Sequence, residues 1–209
     1  MVLLLLTSAC SRRHAPAAPR SAAADLGHTA TLDGMGSSML APVRLEIMRP
    51  EALVARLALA PTAIVADIGA GPGAFTHALA RAVPRGKVIA TDVRSPYLER
   101  VERDARDRGE RNIETRIVTP ESSGLLPGEV DLAFLCQVDH YLRDRPAYLR
   151  ALTATLRPGG RVVIVNYLKE RDVIDALAKD LHWEEVDRWE PAMGFFGRIY
   201  MISRRPQAR

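Results

Sequence analysis

Between residues 63 and 166, short β-branched runs alternate with amphipathic stretches of ten or more residues, and that alternation leaves few folds open. The runs are Ala63–Asp67, Lys87–Thr91, Asn112–Val118, Val130–Cys136 and Arg161–Asn166; helical patterns fall at 73–83, 95–108, 144–156 and 169–180. Strands joined through helices must lie parallel, because a tight turn cannot return the chain to the same end of a sheet. Helices then cover both faces. After 180 the pattern changes. Trp183–Trp189 and Phe196–Ser203 are strand-like runs joined only by the loop P-A-M-G, which predicts an antiparallel hairpin. The expectation is an α/β fold: a doubly wound, mostly parallel seven-stranded sheet with a C-terminal antiparallel hairpin, in three layers. Ahead of it, residues 42–59 carry a helical pattern (Val43, Ile47, Leu53, Leu57) broken at Pro50, hence two helices or a kink.

Composition narrows the function classes. At 209 residues, 47% hydrophobic and 26% charged, the chain can bury a full core and is neither fibrous nor wholly disordered. A net charge of +4, with Lys only at 87, 169 and 179, is too mild for a dedicated nucleic-acid binder. The interleaved charges of 99–111 form a solvated helix face with i,i+4 pairs. Cys10 and Cys136 are too few for a disulfide framework, and the five histidines are too scattered for a metal site. No run reaches the roughly 18 apolar residues of a membrane span.

The first 33 residues stand apart. Val2–Leu6 leads into small residues and Cys10, an order that resembles a bacterial lipoprotein signal and would give a membrane tether through a lipidated Cys10. No Lys or Arg precedes the run, and it is shorter than the usual ~7–15 residues. The Ala/Pro/Arg-rich stretch after it reads as a disordered tether. The chain therefore divides into a leader and tether (1–33), a helical segment (34–60), an α/β domain (61–204) and a tail (205–209). Within the second part, G-M-G-S-S-M (34–39) is either the end of the tether or a flexible flap with Met35 or Met39 at its tip.

The most informative stretch is I-V-A-D-I-G-A-G-P-G-A-F-T-H, where an apolar strand ends at Asp67 and Gly69, Gly71 and Gly73 alternate before a helix. In a doubly wound sheet, ligands bind beyond the carboxyl ends of the strands, where this turn lies. Glycines permit positive φ and close approach of a ligand to the backbone. Gly69, Gly71 and Ala74 also satisfy the dinucleotide pattern G-x-G-x-x-A. Asp67 argues against that reading, because a carboxylate at the strand end repels a diphosphate and suits an amino group. Asp92, closing the next strand, suits the two hydroxyls of a ribose under either reading.

The chain at this point resembles the class I S-adenosylmethionine-dependent methyltransferases. The matching pieces are D-I-G-A-G-P-G (67–73), Asp92, V-D-L-A-F-L (130–135), L-R-P-G-G-R-V-V-I-V (156–165) and the reversed terminal hairpin, in the right order over residues 50–204. A closer likeness, to bacterial methyltransferases with a lipoprotein-type leader, rests on Cys10, the tether and D-H-Y-L-R-D-R-P-A-Y (139–148). The resemblance implies S-adenosylmethionine as methyl donor, bound by domain 61–204. It puts Gly69, Gly71 and Gly73 under the methionine part, Asp67 at its amino group and Asp92 on the ribose hydroxyls. Glu121, with Thr119 as second choice, falls to the adenine amine in a T-P-E-S segment that departs from the usual pattern. Backbone groups at Cys136 and Gln137 face the methionine end.

Methyl transfer from a sulfonium depends chiefly on alignment, which can contribute ~7–11 kcal/mol. A general base, typically worth 10²–10⁴-fold, matters only for an acceptor that is protonated at working pH. His140 with Asp139, after the fourth strand, is the candidate catalytic pair; the alternative is that they cap a turn and help enclose the cofactor. Tyr167 walls an acceptor pocket or simply packs. His77 reads as a partly exposed helix residue and Cys136 as a small buried apolar one. The acceptor is expected to be a small molecule, with no nucleic-acid partner and no metal. Two other readings stay open: a non-catalytic, membrane-tethered cofactor-binding module, and a nucleotide-dependent oxidoreductase.

Overall fold

The computed structural model describes residues 29–190 and 194–202. The leader reading, Cys10 and most of the tether lie outside the described residues. Three helices, α1 (Thr29–Met39), α2 (Pro42–Met48) and α3 (Pro50–Arg56), precede the sheet. Then follow β1 (Ile64–Ile68), α4 (Thr76–Ala82), β2 (Lys87–Asp92), α5 (Ser95–Arg108), β3 (Ile113–Ile117), β4 (Val130–Cys136), α6 (Arg145–Thr155), β5 (Leu156–Tyr167), α7 (Arg171–Asp180), β6 (Trp183–Trp189) and β7 (Phe195–Ile202). Single 3-10 turns at Asp139–Tyr141 and Leu168–Glu170 follow β4 and β5.

The seven strands stand in the order β3-β2-β1-β4-β5-β7-β6. β1 through β5 run parallel, and β7 pairs antiparallel with both β5 and β6. The terminal hairpin is as expected, and it docks through its second strand. The order reverses between β1 and β4, so their carboxyl ends diverge and leave a crevice.

The central strands are apolar on both faces, as a sheet covered twice must be. Val65, Leu132, Phe134, Val163 and Val165 face α3 and α4, where Leu53, Leu57, Phe75 and Leu79 meet them. Ala66, Ile68, Ala133, Leu135, Val162 and Ile164 face α6 and α7, meeting Leu149, Leu152 and Ile174. The helical segment before the sheet shares this core, since Met48 and Leu57 are fully buried in it. The break at Pro50 is a break between helices: Arg49 adopts φ 46 and caps α2 while Pro50 opens α3.

Three expectations need correction. β5 starts at Leu156, directly after α6, because Leu156 pairs with Val130 across a bulge before the main ladder begins at Leu132–Arg161. The G-M-G-S-S-M segment is neither tether nor loose flap but the last part of helix α1. His77 is buried, its Nδ1 2.6 Å from Glu110 Oε2, in a network that Arg81 extends to Glu51. The charged face of α5 is as expected, with Arg100 paired to Asp104.

Candidate active site

The crevice opens into a cavity of about 520 Å³, within the usual size range of small-molecule sites. Its floor is the turn after β1. Gly69, Gly71 and Gly73 take φ of +65°, +57° and +93°, the left-handed region open to glycine. At Gly69 the need is also spatial: a Cβ there would lie 2.3 Å from Val138 Cγ2. The turn is tied to the second strand, where Ala70 N–H donates to the Thr91 carbonyl at 2.9 Å.

Two carboxylates flank this turn. Asp92, at the end of β2, accepts from Gly71 N–H at 2.8 Å on one oxygen and from Arg94 N–H at 2.9 Å on the other. Each oxygen keeps acceptor capacity for hydroxyl donors. Asp67, at the end of β1, accepts from the Thr76 hydroxyl at 2.7 Å. Burial pushes its carboxyl up to about 7, Thr76 opposes the shift, and the nearby Asp92 adds to it. Burial also raises Asp92, against its backbone donors and Arg94. Both acids line the cavity.

α1 and the residues after it form the outer wall. Met35, Ser38 and Met39 line the cavity, with Met39 Sδ 3.1 Å from where a Gly71 Cβ would stand. Gly36 lies against the Tyr97 ring, leaving 3.0 Å for a Cβ. Arg44 donates to the Met39 carbonyl at 2.9 Å and to Gln137 Oε1 at 2.6 Å, bridging the wall to the end of β4. Gln137 itself has φ +57° and donates its N–H to the Val165 carbonyl at 2.7 Å. Cys136 and Gln137 both line the cavity. Burial pushes the Cys136 thiol up to about 12, so it is neutral and no nucleophile.

The other expected residues sit differently. Thr119 and Pro120 line the cavity, while Glu121 is exposed and outside the lining. Asp139 and His140 lie behind the wall. Asp139 is fully buried and accepts from Asn166 Nδ2 at 2.6 Å, with Arg145 3.7 Å from its second oxygen. His140 stacks against Tyr141 at 4.2 Å and meets Tyr167 edge-on at 5.6 Å. It is Tyr141 and Tyr167 that reach the cavity. Sequence reasoning missed Arg44; it offered Met35 and Met39 as the tip of a flap, and both line the cavity, though from a helix. Arg44 carries no motif, and its partner Gln137 is 93 residues away.

The arrangement suits a ligand that brings a vicinal diol and a cation, and it does not suit a diphosphate. A diphosphate would meet two buried carboxylates at the glycine turn, a juxtaposition that costs more the drier the site. Among the described residues no group of His, Cys, Asp and Glu is placed to hold a metal ion.

Residues 66–162 match a family model described as a methyltransferase domain. A ubiquinone/menaquinone biosynthesis C-methyltransferase, UbiE, of Hahella chejuensis is 29% identical over 122 residues, which cover 57% of this chain and 49% of that protein. A highly reducing polyketide synthase of Aspergillus sclerotiorum is 26% identical over 157 residues, 69% of this chain and 6% of its own length. The chain thus spans half or less of these curated relatives. Among solved structures, a SAM-dependent methyltransferase from Aquifex aeolicus superposes with a TM-score of 0.76 at 22% identity, covering 81% of this chain and 98% of that one. A SAM-dependent O-methyltransferase from Thermotoga maritima gives 0.65 at 19% identity, with 76% and 66% covered. The [4+2]-cyclase SpnF gives 0.62 at 18%, with 70% and 60% covered. The fold is therefore shared, and a fold shared with a cyclase does not by itself specify the reaction.

Proposed function

We propose, from the match of residues 66–162 to a family model described as a methyltransferase domain and the fold shared with a SAM-dependent methyltransferase, that this chain methylates a small molecule. The observation that carries the reading is the pair of carboxylates, Asp67 and Asp92, on either side of the glycine turn. S-adenosylmethionine supplies a methyl group on a positively charged sulfur, whose departure as a neutral thioether leaves no anion for the protein to stabilise.

The residues present fit that donor. Asp92, oriented by two backbone N–H groups, would take the ribose hydroxyls. Asp67 would take the amino group, and a cation beside it offsets the burial that now raises its carboxyl. Arg44 uses two donors on Met39 and Gln137 and has others for a carboxylate. Val93, Val118 and Pro120 line the cavity and would give apolar contact to a flat base, with Thr119 also in the lining where Glu121 was expected. Gly69 and Gly71 let the backbone lie close beneath the ligand, while Gly73 gives room to Val101 and His77 behind the turn.

What remains for the protein is alignment and exclusion of water. α1 closes the cofactor side through Met35 and Met39. The acceptor end lies over β4 and β5, where Tyr141, Leu142 and Tyr167 form the rim. Asp139 and His140 support that rim: Asp139 ties the turn after β4 to the end of β5, and His140 packs between the two tyrosine rings. No long insertion between β5 and β6 builds a broad platform for a macromolecule, only a 3-10 turn and α7.

The test is to incubate the full chain with methyl-labelled S-adenosylmethionine and a cell extract divided into small-molecule and protein fractions. Label should enter the small-molecule fraction. Label confined to protein would overturn the acceptor class. Label in neither, with the cofactor bound, would favour a non-catalytic binding module.

A further inference from the structure

The acceptor end of the cavity has a chemical character of its own, and it narrows the class of acceptor. Four rings form a continuous row across this rim: Tyr141 on His140 at 4.2 Å, His140 on Tyr167 at 5.6 Å, and Tyr167 on Phe195 at 5.2 Å. Tyr141 is 75% exposed and Tyr167 37% exposed, although both have apolar ring faces and both line the cavity. A hydrophobic surface left open beside a ligand cavity is the usual mark of a surface that a ligand covers.

The charge set against these rings is a cation. Lys169 Nζ stands 5.7 Å from the centre of the Tyr167 ring. The neighbouring acids are engaged elsewhere. Glu170 pairs with Arg145 at 3.1 Å, Asp139 is fully buried between Asn166 and Arg145, and Asp144 caps α6 by accepting from Ala147 N–H. Among the described residues no carboxylate lines the cavity beyond Asp67 and Asp92, and His140 stands behind the wall with a buried Nδ1. The rim thus presents aromatic ring faces with Lys169 just outside the cavity lining, and among the described residues neither a base nor a further carboxylate lines this end.

From these observations we propose that the acceptor is a planar phenolic molecule that stacks on Tyr141 and Tyr167. A flat ring matches the exposed faces, since offset or edge-on aromatic pairs are worth about 0.5–1.5 kcal/mol beyond the area they bury. A phenol made acidic by its ring substituents gives its proton to water and needs no base from the protein. Its partial or full negative charge is favoured by Lys169. An aliphatic alcohol has neither the face nor the acidity. An ammonium group would find aromatic faces but also the cation, and it would reach the site still protonated.

This inference rests on the proposed methyltransferase reading, and the experiment separates the two. The full chain is titrated first with S-adenosylhomocysteine and then, at saturation, with 4-nitrocatechol, whose visible absorbance reports the environment of its ring. Cyclohexane-1,2-diol and tetramethylammonium serve as the saturated and cationic comparisons. 4-Nitrocatechol should bind with a spectral shift, and neither comparison should compete with it. Tyr141→Ala and Tyr167→Ala should each weaken it about three- to tenfold, and weaken S-adenosylhomocysteine less. Tyr141→Phe and Tyr167→Phe should retain it, because the ring face and not the hydroxyl is the contact. Equal binding of the diol, tighter binding of tetramethylammonium, or alanine variants indistinguishable from the parent would each overturn the proposal. Failure of the first titration would instead overturn the cofactor reading on which it stands.

Discussion

Asp67 is a carboxylate in a place where carboxylates are expensive. Its carboxyl is raised to about 7 by burial, against an ordinary value near 3.8. A group raised on folding holds its proton more tightly in the folded chain, so the stability it contributes is full below about pH 4. That stability is lost as pH climbs to about 7. At 1.36 kcal/mol per unit the whole window amounts to about 4 kcal/mol. The ligand-free chain should therefore become less stable between pH 4 and 7, and Asp67→Asn should flatten that slope in urea titrations at a series of pH values. A ligand ammonium beside Asp67 favours the ionised form. S-adenosylhomocysteine should then bind up to about tenfold more tightly at pH 8 than at pH 6, with proton release. Calorimetry in buffers of different ionisation enthalpy measures that release directly. A binding enthalpy independent of buffer would mean that no cation meets Asp67.

At the scale of elements, the glycine turn and α1 act as a cradle and its cover. Gly69→Ala combines a left-handed φ, which costs a residue with a Cβ roughly 1–2 kcal/mol, with a Cβ 2.3 Å from Val138 Cγ2. It should cost more stability than Gly71→Ala, whose Cβ meets only the flexible end of Met39. Adding Val138→Ala should restore the steric part of the Gly69→Ala loss and not the conformational part, as urea unfolding can resolve. On the cover, Gly36→Val would press on the Tyr97 ring and lift α1. Faster release of S-adenosylhomocysteine in stopped flow is expected, with the stability of the ligand-free chain little changed. What the sequence made legible follows from the same geometry. β4, β6 and α5 appear with the boundaries expected of them, because their apolar periods are unbroken. β5 begins five residues before the expected Arg161, since L-R-P-G-G carries Pro158 and two glycines that argue against a strand, and a bulge accommodates them. α1 was hidden by a Gly/Ser composition that reads as a loop. The burial of His77 and the bridge made by Arg44 depend on Glu110 and Gln137, 33 and 93 residues away, and no local pattern reports such partners.

At the scale of the whole molecule, the strand order puts β1 beside β4 and opens the crevice at their carboxyl ends. The acids that close β1 and β2 then flank the glycine turn, and the rings of Tyr141 and Tyr167 line the same cavity. Asp67, Gly69, Gly71 and Asp92, which line the cavity, were legible as candidates because spacing around one turn groups them, whereas Gly73 faces Val101 and His77 outside the lining. The other end was legible only in part: Tyr167 was offered as a pocket wall, but the row of Tyr141, His140 and Tyr167 joins the ends of β4 and β5, which meet only in the folded chain. The central claim is that this crevice is built for a diol and a cation in place of a diphosphate. Thermal unfolding of the full chain with S-adenosylhomocysteine and, separately, with NAD tests it most directly. At one hundred times its Kd the first ligand should add about 2.7 kcal/mol, or roughly 5–11 °C for a chain of this size, and NAD should add nothing. A rise with NAD and none with S-adenosylhomocysteine would contradict the account.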